Sequence, residues 1–308
     1  TTTLQQMAGL EGQLGGLRMS SGNESEIKRL NVENTDLKRQ LAGGAFSSAS
    51  QIPFEDLDVQ DQIGGGGFSL VYRGLWRGTP VAIKKWFDPN MTDALQQEFR
   101  EEVITLQALH HPNVLQFLGA CMRPPNLAMV TEILPTSLHN VLYTSNTVLD
   151  RKRIVELLQD IARAFVYLHS RKPVVVHRDI KPANFLIDRA WKVKVADFGL
   201  ASQSRSQAGA GTPAYMAPEL LDSQPYNEKV DVYAFGVLLN EMVAREVPFG
   251  SMGAYEIKQS VLAGGRPEVP LSCPKALQDI ITQCWDSQPS ARPSFERILE
   301  LLRDVARA

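Results

Sequence analysis

The chain has 308 residues, 44% of them hydrophobic, which is enough to build a substantial core and suggests about two domains. Basic and acidic residues nearly balance, 32 against 34, so no global field favours nucleic acid or an anionic membrane. Cys121, Cys273 and Cys284 are odd in number and lack C-x-x-C spacing, which argues against a zinc site or a disulfide framework and for a reduced, cytoplasmic setting. No run of 18 apolar residues is present, so no transmembrane helix is expected, and the first residues lack a signal-peptide pattern. The absence of an initiator Met leads us to expect a piece of a longer protein.

Residues 1–52 form a polar tail rich in Gln, Gly, Ser and Asn. Within it, over about 25–42, Ile27, Leu30, Leu37 and Leu41 take a and d positions of a heptad, with Asn34 at the intervening a position. A short coiled coil, and self-association through it, is the expectation; a solvated linker is the alternative, because two heptads are few. From Phe54 the texture is globular. "VYRGLWRGTPVAIKKW" reads as two strands joined by a turn at Gly78-Thr79-Pro80. "DALQQEFREEVITLQAL" has helical spacing at Leu95, Phe99, Val103 and Leu106. "NVLQFLGACM" and "NLAMVTEIL" read as two more strands. Beyond them the chain becomes mainly helical, as in "DRKRIVELLQDIARAFVYLHS", "DVYAFGVLLNEMVARE" and "ERILELLRDVARA". A β-rich first part and a helix-rich second part predict an α+β fold of two lobes around a cleft.

The stretch "DQIGGGGFSLVYRG", Asp61 to Gly74, is rich in glycine. A dinucleotide-binding turn needs a helix after the glycines, whose N-terminus receives the pyrophosphate. Here two strand-like runs follow, so that reading fails on context. A glycine-rich hairpin lid, offering backbone N–H groups to phosphates, fits instead. Downstream come "VAIK", "VVHRDIKPANFLI", "VKVADFGLAS" and "GTPAYMAPE", in that order.

Carried by these strings, the chain resembles the eukaryotic protein kinases over about residues 54–305. "VITLQALHHPNVLQFLGAC" and "CWDSQPSARPSF" are similar to the tyrosine-kinase-like group, in the manner of Raf-like and mixed-lineage MAP kinase kinase kinases. The resemblance implies a bilobal kinase fold: tail 1–52, a β-rich N-lobe with one main helix and the hinge over 53–134, and a mainly helical C-lobe over 135–308. It also implies ATP with Mg2+, Mn2+ being the alternative ion, and transfer of the γ-phosphate to protein hydroxyls in a signalling cascade.

Residue by residue, the resemblance assigns Lys84 to the α- and β-phosphates and Glu102 to hold it. Asp179 orients the substrate hydroxyl and takes its proton, and Lys181 neutralises the transferring phosphate. Asn184 and Asp197 are the metal ligands, a hard cation preferring such oxygens. Ile63, Gly64, Gly65, Gly66, Gly67, Phe68 and Ser69 form the lid. Val71 and Ala82 above and Leu186 below enclose the adenine. Thr131 is the gatekeeper, and Glu132 to Leu134 the connector. His177, Phe198, Leu106 and Phe117 stack as an apolar column; Asp231 braces the catalytic loop; Glu219 pairs with Arg292. Lys181 together with Thr212 resembles the serine/threonine pattern, with tyrosine or dual specificity as the alternative and a pseudokinase scaffold as the rival class. Arg178 has no evident partner nearby in sequence. It suggests that phosphorylation of Ser202, Ser204, Ser206 or Thr212 orders the following loop. The sequence departs from the family at Ser69, where the last lid glycine is expected, and at His110, where Raf kinases carry an arginine.

Overall fold

The computed structural model describes residues 50–66, 69–86, 93–201 and 211–307. Its first part is a five-stranded antiparallel sheet in the order β1-β2-β3-β5-β4. The strands are β1 (Leu57–Gly66), β2 (Ser69–Trp76), β3 (Thr79–Trp86), β4 (Phe117–Cys121) and β5 (Ala128–Glu132), with helix α1 (Asp93–Gln107) between β3 and β4. The period-2 pattern of a strand sorts the side chains of this sheet. On β3, Val81 and Ile83 are fully buried and join Val130, Ala128, Leu57 and Ile52 in one small cluster. Ala82 and Lys84 therefore point to the other face. There they stand opposite Thr131 and Met129 of β5. Helix α1 covers that face with the residues its periodicity selects, Leu95, Phe99, Val103 and Leu106, all buried.

The second part is helical. Among the described residues it holds α2 (Leu138–Tyr143), α3 (Arg151–Ser170), α4 (Pro218–Leu221), α5 (Lys229–Ala244), α6 (Ala254–Leu262), α7 (Lys275–Cys284) and α8 (Phe295–Arg307). A small sheet of β6 (Thr136–Ser137), β7 (Phe185–Ile187) and β8 (Val193–Val195) floors the cleft. Asp150 caps α3, its carboxylate accepting the Arg153 N–H at 2.7 Å. α5 is apolar nearly all round and buried continuously from Val230 to Met242, so it is the central post of this lobe. Phe295 of α8 stacks on Phe165 of α3, with ring centroids 4.8 Å apart. The two-lobe α+β expectation is thus met. No helix among the described residues is long and apolar enough to cross a membrane.

Two local expectations need revision. The turn between β2 and β3 lies at Arg77-Gly78, not Gly78-Thr79-Pro80. Both turn residues have positive φ, 49° and 81°, which matches the twist of a two-residue hairpin, and Thr79 already pairs with Trp76. The second revision concerns Gln51 and Ile52, which sequence assigned to the tail. Gln51 bridges Ala120 in parallel, and the Ile52 N–H donates to the Ala120 carbonyl at 3.0 Å. The expected heptads at 25–42 lie outside the described residues.

Gly119 explains how this extra segment fits. A Cβ there would lie 2.6 Å from Ile52 Cδ1 and 2.7 Å from the Ser50 carbonyl oxygen. Gly119→Val should therefore displace Ser50–Ile52 from the sheet. We expect a loss of about 2 kcal/mol, a fall in Tm of roughly 4–8 °C, with faster amide exchange confined to residues 50–53 and 117–121. An unchanged melting curve would show that this packing is dispensable.

Candidate active site

The cleft is built from backbone that would not hold its shape alone. Arg178 and Asp197 both have positive φ, 67° and 62°. Such geometry costs on the order of 1–3 kcal/mol per residue and persists only where the surroundings impose it. Around Arg178 the restraint is Asp231, at the start of α5 and 0% exposed. Its carboxylate accepts the N–H groups of His177 at 2.9 Å and Arg178 at 2.8 Å, and meets His169 Nε2 at 2.9 Å. His177 is itself buried: Nε2 donates to the Ala196 carbonyl at 3.0 Å, and Nδ1 accepts the Asp179 N–H at 3.3 Å. Its ring meets Phe198 edge-on at 5.1 Å. Leu106 and Phe198 lie in the same apolar cluster, with Phe117 packed against it.

From the upper lobe, Lys84 Nζ donates to Glu102 Oε1 at 2.8 Å and to Asp197 Oδ1 at 3.1 Å. One ammonium thus joins β3, α1 and the loop after β8. Desolvation would depress the Lys84 pKa, but the Glu102 and Asp197 carboxylates outweigh it and hold the ammonium firmly charged. Burial pushes the Glu102 carboxyl upward, against the pull of Lys84. For Asp197, enclosure also pushes upward; the Lys84 charge and hydrogen bond prevail and keep it below the usual carboxylate range. Unit charges 4 Å apart attract by roughly 4 kcal/mol at an effective dielectric near 20, and desolvation cancels most of that. The arrangement is worth more as a positional lock than as net stability.

Asp179 lies at the centre of the lower lobe's contribution. Its carboxylate is ion-paired with Lys181 Nζ at 2.7 Å. It accepts from Asn184 Nδ2 at 2.9 Å and from the Thr212 hydroxyl at 3.1 Å. Thr212 in turn accepts from Lys181 Nζ at 3.1 Å. Asn184 Nδ2 also donates to the Asp179 carbonyl at 2.8 Å, which leaves the Asn184 amide oxygen as its acceptor end. Among the described residues no group of three or more His, Cys, Asp or Glu side chains could hold a metal by itself. A donor set of one carboxylate, Asp197, and one amide oxygen, Asn184, suits an ion that takes its other oxygens from phosphates and water.

A family model described as "Protein tyrosine and serine/threonine kinase" matches residues 57–302. The chain belongs to the protein kinase family. Among curated relatives, it is 42% identical over 240 residues to the probable serine/threonine-protein kinase SIS8 of Arabidopsis thaliana, covering 76% of this chain and 23% of SIS8. It is 39% identical over 240 residues to the probable serine/threonine-protein kinase drkA of Dictyostelium discoideum, covering 76% of this chain and 37% of drkA. The serine/threonine-protein kinase CTR1 of A. thaliana is 39% identical over 247 residues, which are 77% of this chain and 30% of CTR1. The chain therefore spans well under half the length of these relatives. They are consistent with the tyrosine-kinase-like group.

The kinase brings most of the expected site residues to one cleft. Strand register sets Val71 of β2 opposite Lys84, and Ala82 opposite Thr131. Thr131 is buried at the end of β5, and Leu186 on β7 is half-buried below. Gly64, Gly65 and Gly66 pair with Val71, Leu70 and Ser69, so Ser69 is the first residue of β2. Ile63, on β1, is 47% exposed. Gly67 and Phe68 lie outside the described residues, as do Ser202, Ser204 and Ser206. Glu132 turns its side chain away from the connector backbone: it accepts from Lys194 Nζ at 2.7 and 2.9 Å and from the Gln116 N–H at 2.8 Å. Leu134 follows it, half-buried. Glu219 and Arg292 pair through two bonds of 2.6 and 2.9 Å, with the Arg292 side chain 0% exposed. Thr212 parts company with the three serines. Its hydroxyl is committed to Asp179 and Lys181, and a phosphate on it would set a dianion against Asp179.

Other residues of the site were not legible in the motifs. Lys194 and Gln116 fasten the connector from behind. Glu241, on α5 and 2% exposed, accepts the hydroxyl of Tyr143 at 2.6 Å and that of Tyr215 at 2.7 Å, joining α2 and the segment after Thr212 to the central post. Only distant partners reveal this role. Burial pushes the Glu241 carboxyl from its ordinary 4.5 up to about 7, although the two hydroxyls pull it down. A raised folded-state value means that the folded kinase holds this proton more tightly than the unfolded chain. Stability from this group is therefore full below about 4.5 and is lost as pH rises through about 7. Relative to Glu241→Gln, wild-type stability should fall between pH 4.5 and 7 and then level off. Chemical denaturation across that range measures it, and a pH-independent difference would refute the shift.

Proposed function

We propose that the chain is the catalytic domain of a protein serine/threonine kinase that transfers the γ-phosphate of ATP to Ser and Thr hydroxyls of protein substrates. The observation that carries this reading is the environment of Asp179. One carboxylate faces Lys181, Thr212 and Asn184 together, and across the same cleft Lys84 is already locked by Glu102 and Asp197.

In this reading Asp179 accepts the hydroxyl proton of the substrate, which needs to leave only late in a loose transition state. Thr212 and Asn184 aim its oxygens, and Lys181 offsets charge on the phosphate in transit. Lys84 steadies the α- and β-phosphates. Asn184 and Asp197 would hold magnesium, or manganese instead, and the ion supplies charge neutralisation between phosphates. Lid strands β1 and β2 present backbone N–H groups, and Val71, Ala82, Leu186 and Thr131 bound an apolar slot for the adenine beside the Glu132–Leu134 backbone. Most of the catalysis asked of these groups is positioning and electrostatics. The Thr212 contact supports Ser/Thr transfer over the tyrosine or dual-specificity alternative. Free, buried Cys121, Cys273 and Cys284, with Cys121 pushed up to about 11 by burial, suit the reducing cytoplasm.

Radiolabelled phosphate transfer from Mg-ATP to an arrayed Ser/Thr peptide library tests this. Asp179→Asn should lower kcat by roughly 10²–10⁴-fold while ATP binding changes little. Equal inactivity of wild type and variant, with ATP still bound, would favour the pseudokinase scaffold.

A further inference from the structure

The guanidinium of Arg178, beside Asp179, reaches a group that the kinase motifs do not assign. Its Nη1 donates to the hydroxyl of Tyr226 at 2.8 Å, in addition to the contacts Arg178 makes elsewhere. Tyr226 lies between α4 and α5, half-buried, with its ring packed against the main apolar cluster. Arg178 is 8% exposed, and its backbone is in the strained conformation described above. The same residue also meets the return of the segment that leads to Thr212, since a Cβ at Gly211 would lie 3.4 Å from the Arg178 carbonyl oxygen.

We propose that Tyr226 is a positioning residue for phosphoryl transfer, acting through Arg178 to hold Asp179. The proposal rests on the kinase reading above. Arg178 is restrained at two ends by residues of one neighbourhood. Asp231 accepts its backbone N–H, and Tyr226 accepts from its side chain. The aromatic ring is anchored in the core, so its hydroxyl is a fixed acceptor that loses little freedom on bonding. A donor that is permanently charged makes this hydrogen bond stronger than a neutral one. It also carries no phosphate. Tyr226 thus gives the arginine a partner that does not depend on phosphorylation of Ser202, Ser204, Ser206 or Thr212, which the sequence alone suggested as the ordering event.

Tyr226→Phe removes the hydroxyl and keeps the ring, so the core packing is preserved. Wild type and variant, each as the full chain and treated with phosphatase, would be assayed with Mg-ATP and the same peptide library. We expect kcat of the variant roughly tenfold below wild type, KM for ATP within about twofold, and Tm within about 2 °C. Amide exchange should rise at residues 177–184 and not across the lobe. Unchanged kcat with unchanged exchange at 177–184 would overturn the proposal, as would a general rise in exchange, which marks a purely structural role. If wild type binds ATP but transfers nothing, the kinase reading fails, and the exchange comparison alone decides for or against Tyr226.

Discussion

The Lys84 ammonium is the point on which both lobes agree. It takes a carboxylate from α1 and another from the loop after β8, and it can do so only if β3, α1 and that loop are in register together. Each partner has its own reason to be there. β3 is fixed by the alternation of Val81 and Ile83 into the small cluster. α1 is fixed by Leu95, Phe99, Val103 and Leu106. The loop is fixed by Phe198, buried against His177. The electrostatic gain is mostly offset by desolvation, so the packing sets the geometry and the charges report whether it is right.

Below the cleft a second buried charge does the corresponding work. Asp231 stands on the most buried helix of the molecule and turns two catalytic-loop amides toward itself. A buried carboxylate is costly unless donors surround it, and those donors are supplied by His177 and by Arg178, whose backbone is strained. Strain and burial thus stabilise one another. The consequence is that Asp179 sits on a rigid frame, while lid strand β1 is largely exposed from Gln60 to Gly65.

Much of this was readable from the chain alone because the readable parts are local. Strand alternation, helical spacing and short motif strings encode which residues share a face. Lys84, Glu102, Asp179, Asn184 and Asp197 were assigned through the resemblance that the motif strings carry; the structure brings Lys84 to Glu102 and Asp197, and Asp179 to Asn184. The β2–β3 turn was expected to start one residue late and to end two residues late, because Thr79-Pro80 looks like a turn while cross-strand pairing overrides it. Glu132 could be named as part of the connector, yet its side chain serves Lys194, a partner 62 positions away that no spacing rule links.

The sequence by itself determined the family, the two-lobe plan and the order of the charged residues along the cleft. These follow from period, turn chemistry and motif order, which are properties of neighbours. Only the tertiary structure decided that Ile52 completes the sheet over Gly119, that Thr212 is held by Asp179 and Lys181, that Glu241 gathers two tyrosines, and that Arg178 meets Tyr226. Those pairs join residues brought together by packing, where burial removes water and makes each hydrogen bond obligatory. No local pattern in the chain marks them in advance.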